Sequence, residues 1–314
     1  MNVIFFGSGN FAVPSLQALL NSGHRISCVV TQPDRKKGRG FHLEATPIKS
    51  LAYKYGIKIY QPEAVNAQES IKFLEDLSPD LFIVISYGQI LSREILRMPK
   101  IFAVNIHGSS LPKYRGAAPI NWAIINGEKN TGITIIKMAE KLDAGPIILQ
   151  EEMEIKDEDT AVILEEKLSK KGAGLLIKSL HLIENKTYAL TTQDEDKASF
   201  APKLKKEDGL ITWENTAQGI NNLIRGCAGW PGAFTYYKGK LLKVYKAKVC
   251  PGVSRFESSN AGEILDISKR GITVATGRDN LAIEELQIEG KRMMRAGEFI
   301  AGHKICVGEI LGKK

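Results

Sequence analysis

Short apolar runs alternate with longer amphipathic segments over the first 190 residues of the chain. Val3–Phe6, Leu81–Ile85 and Ile101–Val104 are almost wholly apolar, whereas Phe11–Asn21 and Asp159–Ile183 carry apolar residues at helical spacing. Short apolar runs of this kind are typical of strands in a parallel sheet that is covered on both faces. The alternation therefore predicts an α/β fold built on a Rossmann-like open sheet.

The pattern changes in the last third of the chain. After one helix-like segment come short strand-like segments separated by turns: Gly232–Tyr237, Leu241–Val249, Gly262–Ile267, Ile272–Thr276, Leu281–Ile288 and Lys304–Ile310. Several short strands within about a hundred residues predict a small β-barrel of the oligonucleotide-binding (OB) type. Residues 191–208 lack periodicity. We therefore predict an α/β domain at 1–190, a linker at 191–208 and an OB-like domain at 209–314.

Positive charge is concentrated in the last third of the chain. Of the formal net charge of +8, residues 1–200 contribute +1 and residues 201–314 contribute +7. A second basic stretch, Pro33–Gly40, is rich in glycine and predicts an irregular loop that can mould onto phosphates. Both features fit a polyanionic partner. An ordinary solvated basic surface explains them equally well from composition alone.

Several classes of protein are excluded by missing patterns. No apolar run reaches membrane-spanning length, and Met1 is followed directly by a strand without the pattern of a signal peptide. These two absences predict a cytoplasmic location and no membrane association. The four scattered cysteines form no Cys-x-x-Cys pair, which fits a reducing compartment. The five histidines include no His-x-x-x-His, and the phosphate-loop and Gly-x-Ser-x-Gly motifs are missing. No metal site is expected.

Asn105 and His107 follow one of the apolar runs and precede Gly108. Because strand side chains alternate between faces, these two polar groups are expected on the same side, about 6 to 7 Å apart. The carboxyl ends of strands in open sheets are where ligands bind. A hydrogen-bonded pair that merely caps the sheet is the alternative.

Asp143 lies in a Gly-Pro-containing turn, where aspartate is common for structural reasons. If this turn folds back over the crevice, the carboxylate can orient His107 and relay protons. Asn, His and Asp without a nucleophile suit transfer of an acyl-like group between two bound partners. Gly7–Ala12 also matches a Gly-x-Gly-x-x-Ala dinucleotide fingerprint, which leaves a nicotinamide enzyme as an alternative.

These residues carry a resemblance to a known family. Asn105-x-His107, Ser109–Pro112, Arg115–Pro119 and Leu142–Gly145 resemble the motifs of the folate-dependent formyltransferases, and the likeness covers the whole chain. Gln32–Arg35 with Gly38-Arg-Gly, and the basic last third, resemble the branch of this family that formylates methionine on initiator tRNA. One departure is Ser110, where the family motif has leucine.

The resemblance implies transfer of a formyl group from 10-formyltetrahydrofolate to initiator methionyl-tRNA, giving formylmethionyl-tRNA for translation initiation. Asn105, His107 and Asp143 would be catalytic, with no metal. Folate contacts are implied for Ser86, Tyr87, Gly88, Gln89, Ile90, Leu91, Ser109, Ser110, Leu111, Pro112 and Leu142. Contacts with tRNA are implied for Arg35, Lys36, Lys37, Arg39, Lys203 and Lys206. A monomer is the state that the resemblance implies.

Two further alternatives remain at this point. The same three residues could serve a formyltransferase that acts on a nucleotide sugar, or a formyltetrahydrofolate hydrolase. The chain could instead be an RNA-binding module whose folate site is degenerate, although retention of Asn105, His107 and Asp143 together argues against that.

Overall fold

The computed structural model describes residues 1–37, 42–250 and 260–312, and these residues form two compact units. The first unit contains residues 1–119, 130–154 and 165–201. The second contains residues 120–129 and 155–164 and the chain from residue 202 onward.

The first unit is organised on a mixed seven-stranded sheet. Its strands and the short strands beside it are β1 (Asn2–Gly7), β2 (Arg25–Val30), β3 (Arg35–Lys37), β4 (His42–Glu44), β5 (Ile59–Tyr60), β6 (Leu81–Ile85), β7 (Phe102–His107), β8 (Arg115–Gly116), β9 (Asn130–Lys137), β10 (Ile147–Glu154) and β11 (Phe200–Ala201). The order in the sheet is β10-β9-β7-β6-β1-β2-β5. Strands β5, β2, β1, β6 and β7 run parallel, and β9 and β10 add an antiparallel edge. The α/β, Rossmann-like assignment is confirmed.

The helices are α1 (Val13–Leu20), α2 (Pro47–Lys54), α3 (Gln68–Asp76), α4 (Arg93–Arg97), α5 (Pro119–Ile125), α6 (Ala161–Glu184), α7 (Ala217–Gly226) and α8 (Ala296–Gly302). The N-terminal residue of several helices is fixed by a side-chain cap, as at Thr46, whose hydroxyl accepts from the Lys49 N–H at 3.0 Å. The longest helix is α6, with 24 residues. No helix within the described ranges has both the length and the apolar character needed to cross a membrane.

Buried aromatic and aliphatic side chains fix the centre of the sheet. All five residues of β6 are buried, as expected for a strand with helices on both faces. The Phe6 ring packs edge-on against Phe82 and Tyr87, with centroid distances of 5.0 and 5.5 Å. This packing anchors Tyr87, which belongs to the loop that follows β6, Ser86–Leu91, against the centre of the sheet.

The second unit is built on an antiparallel sheet. Its strands are β12 (Ala233–Tyr237), β13 (Lys240–Cys250), β14 (Ile264–Ser268), β15 (Gly271–Ala275), β16 (Asn280–Ile288) and β17 (Met294–Arg295). They are ordered β12-β13-β16-β15-β14, with β17 paired to β16. The antiparallel β character predicted for this part of the chain is confirmed.

One predicted strand of the second unit is wrong. Residues 304–310 are irregular, with a turn at Val307–Gly308 and a single bridge between Glu263 and Ile310, and the preceding residues form α8. The apolar residues of this segment are separated by polar and glycine residues, and Ile305, like Leu311 just after the segment, reaches the core from irregular backbone. The spacing of apolar residues in this segment resembles that of a strand, but among the described residues only Ile310 pairs with another segment through a β-bridge.

The prediction that Pro33–Gly40 is wholly irregular is also wrong. Arg35–Lys37 forms β3, which pairs antiparallel with β4. A two-stranded ribbon that faces water tolerates charged side chains, since its backbone groups are satisfied by the partner strand. Residues 38–41 lie outside the described residues.

Residues 191–208, predicted as a linker, are divided between the two units, with 191–201 in the first and the rest in the second. The predicted domain boundaries stay a prediction.

We predict that Phe299→Ala lowers the free energy of unfolding of the second unit by about 3 to 5 kcal/mol, because the change leaves a large cavity in a packed core. The Phe299 side chain is fully buried and stacks on His303 with a centroid distance of 4.2 Å. All three tryptophans belong to this unit, so urea unfolding followed by tryptophan fluorescence reports on it. Val307→Ala is the control, because Val307 is 61% exposed. Equal midpoints for the two variants would contradict the prediction.

Candidate active site

Strand β7 carries Asn105 and His107 to the carboxyl end of the parallel sheet. In the sheet register, Asn105 lies between Val84 of β6 and Ile136 of β9, and His107 lies beside Thr134. The two side chains are separated by one residue and therefore project to the same face. The neighbouring strand β6 ends at the same edge, so the loop that follows it borders the same crevice.

Asp143 meets both side chains from the turn between β9 and β10. Its carboxylate accepts from Asn105 Nδ2 at 3.3 Å and from the Gly116 N–H at 2.8 Å, and it lies 3.6 Å from His107 Nδ1. The Asp143 side chain is 9% exposed. A carboxylate with so little exposure has lost most of its hydration, and these hydrogen bonds replace it. The structure therefore brings all three predicted catalytic residues into one cluster.

The orientation of His107 is set by the main chain of Tyr114. His107 is 5% exposed, and its Nε2 lies 2.8 Å from the Tyr114 carbonyl oxygen. Because a carbonyl oxygen only accepts, Nε2 carries a hydrogen in this geometry. The other ring nitrogen, Nδ1, then faces Asp143 and is the one available for chemistry.

The loop after β7 is held by its own polar contacts. Thr134 Oγ1 donates to the Ser109 carbonyl at 2.6 Å and accepts from the Leu111 N–H at 3.2 Å. At Gly116, φ is +125°, and a Cβ there would lie 2.6 Å from the Ala201 carbonyl oxygen. Only glycine allows this close approach, which brings the Gly116 N–H to Asp143.

The predicted folate loop after β6 contains both buried and exposed residues. The Gln89 amide is used inside the protein, where it accepts from the Val65 N–H at 2.8 Å. Tyr87 and Leu91 are buried, and burial raises the pKa of the Tyr87 phenol well above its ordinary value. Ile90, in contrast, is 77% exposed, and Ser86 and Gly88 have positive φ angles.

The other predicted folate residues, Ser109–Pro112 and Leu142, also include both buried and exposed side chains. Ser109 and Leu111 are buried, whereas Leu142 is 58% exposed beside Asp143. Ser110 Oγ is buried without a hydrogen-bond partner, packed over Gly132 of β9. Pro112 is half-buried, and its carbonyl accepts from the Ser199 N–H at 3.3 Å. Ile90 and Leu142 are thus the apolar side chains that these loops leave open to a ligand.

The residues predicted to contact tRNA are spread over the two units. Arg35 is exposed on β3, the side chains of Lys36 and Lys37 are not described, and Arg39 lies outside the described residues. Lys203 and Lys206 are exposed in the second unit. A lysine-rich hairpin follows there, with Lys238, Lys240, Lys243, Lys246 and Lys248 on or beside β13.

Sequence reasoning missed several residues that shape the site. The buried Arg115 guanidinium bonds Gln193 Oε1 and pairs with Glu195, whose pKa falls to about 2 because of Arg115 and Lys141. Gln193 in turn donates to the carbonyl oxygens of Asp143 and Gly145. The one available signal was Arg115, an arginine inside a Gly- and Ala-rich motif.

The described residues contain no group of three or more His, Cys, Asp or Glu side chains placed to hold a metal ion. The Gly7–Ala12 turn is explained by packing, since a Cβ at Gly7 would lie 2.8 Å from the Phe5 ring. Ser8 in this turn donates to the Tyr87 carbonyl at 3.1 Å and accepts from the Gln32 N–H at 3.1 Å.

Comparisons with known proteins agree with this arrangement. The chain matches the family model "Formyl transferase" at residues 1–180 and "Formyl transferase, C-terminal domain" at residues 203–304. It is 44% identical over 313 residues to a methionyl-tRNA formyltransferase of Alkaliphilus oremlandii, with 100% of both chains covered. It is 43% identical over 314 residues to that of Citrifermentans bemidjiense, with 100% of this chain and 97% of the relative covered.

A solved structure shares the fold. It is the sugar 3N-formyl transferase WlaRD, crystallised with dTDP and 5-N-formyl-THF, with a TM-score of 0.68 and 22% identity. The match covers 93% of this chain and 99% of that one. The solved structure shows the fold, whereas the two family models and the full-length relatives show the family: the chain belongs to the methionyl-tRNA formyltransferase family.

Proposed function

We propose that this chain transfers the formyl group of 10-formyltetrahydrofolate to the α-amino group of methionine on initiator methionyl-tRNA. The observation that carries the proposal is the single cluster formed by Asn105, His107 and Asp143 at the carboxyl end of β7. The full-length relatives supply the acceptor, because their name states it.

Asn105 and His107 stabilise negative charge on the formyl oxygen as the amine adds. The Asn105 amide gives one hydrogen to Asp143 Oδ1 at 3.3 Å, and its second hydrogen can be given to the substrate. His107 Nδ1 lies on the same side, because Nε2 is bonded to Tyr114, and it donates to the formyl oxygen in the protonated imidazolium form. Donors that are already oriented cost no reorganisation during the reaction, which is the basis of oxyanion stabilisation.

Asp143 takes up the proton that the attacking amine loses. The cluster passes this proton to the folate nitrogen as the bond between that nitrogen and the formyl carbon breaks, which releases tetrahydrofolate. Its carboxylate is fixed by the Gly116 N–H at 2.8 Å, so it is held in place before the substrate arrives. Protonation of His107 would convert its 3.6 Å contact with Asp143 into an ion pair. The cluster thereby handles protons without a covalent enzyme intermediate.

The loops around the cluster fit a reduced pterin. A flat heterocycle needs apolar contact on its faces and main-chain donors and acceptors at its edge. Ile90 and Leu142 are exposed apolar side chains on the two flanking loops, and Ser86 and Gly88 of the Ser86–Leu91 loop are also exposed. We propose that these residues and the main chain of Ser109–Pro112 hold the folate, which supplies an activated formyl group when bound.

Basic residues outside the cluster supply the contacts with tRNA. Arg35 lies on the exposed β3–β4 ribbon, and the sequence places Lys36, Lys37 and Arg39 next to it. We propose that this ribbon binds near the acceptor end, and that Lys203, Lys206 and the lysines of β13 bind phosphates. We further propose a cytoplasmic location, where aminoacylated tRNA is used, and a monomeric state.

A different acceptor is the one alternative with a specific observation behind it. The sugar 3N-formyl transferase WlaRD shares the fold over 93% of this chain. The same cluster could formylate an amino sugar, so the acceptor has to be tested directly.

We expect labelled formyl to pass from 10-formyltetrahydrofolate to initiator methionyl-tRNA but not to elongator methionyl-tRNA. His107→Ala should lower kcat by about 10²-fold or more, because a group that stabilises charge and handles protons is lost. His181→Ala is the matched control, since His181 lies on α6 in contact with Asn185. Formate release, or transfer to an amino sugar alone, would overturn the proposed acceptor while keeping the cluster.

We also expect tRNA affinity to fall steeply with salt, because Lys-phosphate contacts release counterions. The double change Lys203→Ala and Lys206→Ala should reduce the slope of log affinity against log salt by about two. The control removes equal charge at Lys170 and Lys178, which pair with Glu166 and Glu151 on or beside α6. Filter binding at several salt concentrations measures the slope, and the same change for both pairs would contradict the prediction.

A further inference from the structure

Residues 191–201, here termed the brace, contact two segments of the candidate active site: the loop at Arg115–Gly116 and the turn between β9 and β10. Thr191 and Ile147 exchange two main-chain hydrogen bonds of 2.8 and 2.9 Å at the start of β10. At the other end, the Ser199 carbonyl accepts from the Arg115 N–H at 2.8 Å, and β11 pairs with β8. The brace lies between the segments that the two family models match, at 1–180 and 203–304.

Gln193 lies at the centre of the brace and connects the two loops through its side chain. The residue is 6% exposed. Its Nε2 donates to the carbonyl oxygens of Asp143 and Gly145, both at 2.7 Å. Its Oε1 accepts from Arg115 Nε at 3.1 Å and from Nη2 at 2.8 Å. Every hydrogen-bonding atom of this amide is therefore used.

Arg115 fixes which way the amide points. The guanidinium has donors only, so it must face the amide oxygen, and the amide NH₂ must then face the two carbonyls. Arg115 is itself held by a bidentate pair with Glu195, with contacts of 2.8 and 3.2 Å. Glu195 also bonds Lys141, two residues before Asp143.

The turn that receives these bonds needs external support. Asp143 has a φ angle of +51°, a left-handed conformation that residues with a Cβ adopt rarely. Gln193 binds the carbonyls of Asp143 and of Gly145, on both sides of Ala144. These bonds hold the turn in the conformation that aims the Asp143 carboxylate at Asn105 and the Gly116 N–H.

We propose that Gln193 is a positioning residue, which acts on formyl transfer through Asp143 and does not touch either substrate. The inference rests on the proposed function, because it assigns the role of Asp143 in that reaction. A displacement of about 1 Å at a catalytic group can cost about 10²-fold in rate. Loss of the Gln193 bonds therefore lowers kcat by roughly 10- to 100-fold, with KM for methionyl-tRNA and for 10-formyltetrahydrofolate changed by less than about threefold.

Two substitutions at Gln193 test its contacts with Arg115 and with the turn at Asp143. Gln193→Glu keeps an oxygen for Arg115 but places a carboxylate oxygen against the carbonyl oxygens of Asp143 and Gly145, so repulsion adds to the lost hydrogen bonds and its kcat falls furthest. Gln193→Met keeps the side-chain length without hydrogen bonds or charge, and it carries the test if Gln193→Glu does not fold. The control is Gln287→Glu in the second unit, where the amide bonds Tyr245 Oη and the Lys291 carbonyl. Its kcat stays at the wild-type value.

A double-mutant cycle distinguishes positioning from a general structural role. If Gln193 acts through Asp143, Gln193→Met has no further effect on kcat in an Asp143→Ala background. Multiplicative losses, or a wild-type kcat for Gln193→Met, would overturn the inference. A wild-type chain that fails to formylate methionyl-tRNA would overturn the proposed function instead. The same cycle is then measured on the formate release or amino-sugar formylation that the wild type supports.

Discussion

The Asp143 carboxylate is the group on which the geometry of the site depends. It lies almost out of contact with water and accepts hydrogen bonds from the Asn105 amide and the Gly116 N–H, with His107 beside it. Burial of a carboxylate is unfavourable unless such bonds replace its hydration. Strand β7, the loop at Gly116 and the β9–β10 turn must therefore close around one point, and the geometry of the candidate site follows from that closure.

The closure relies on contacts far apart in the sequence. The brace ties the β9–β10 turn through Gln193 and ties the loop at Gly116 through β11, where Ala201 pairs with Gly116. The charge of the buried Arg115 is balanced by Glu195 at the edge of the site. The same guanidinium that anchors the brace thus also sets the orientation of the Gln193 amide. The hydrogen bonds that hold the brace in place and those that orient Asp143 therefore belong to one network.

Local periodicity predicted much of this arrangement. A repeat of two placed Asn105 and His107 on one face, and apolar runs predicted the parallel strands beside them. The approach of Asp143 could only be stated as a condition, because no local pattern tells where a turn folds. The contact between His107 and the Tyr114 carbonyl has no sequence signature at all, since every residue carries that carbonyl.

Other differences have equally physical causes. The brace is polar and irregular, which is why it was predicted as part of a linker, yet long-range hydrogen bonds order residues such as Gln193. Arg35–Lys37 has no apolar alternation, and only its pairing with β4 makes it a strand. Within residues 304–310, Ile305 enters the core from irregular backbone. In each case a tertiary contact decided what the local sequence left open.

A crystal structure with 5-formyltetrahydrofolate, a folate that carries its formyl group on a different nitrogen from the proposed donor, tests the central claim most directly. The account predicts the pterin between the Ser86–Leu91 loop and the turn at Leu142, beside Ile90, with Asn105 and Asp143 at its formyl-bearing edge. The brace should keep its bonds to that turn in the complex. A folate bound at the Gly7–Ala12 turn, away from Asn105 and Asp143, would contradict the account.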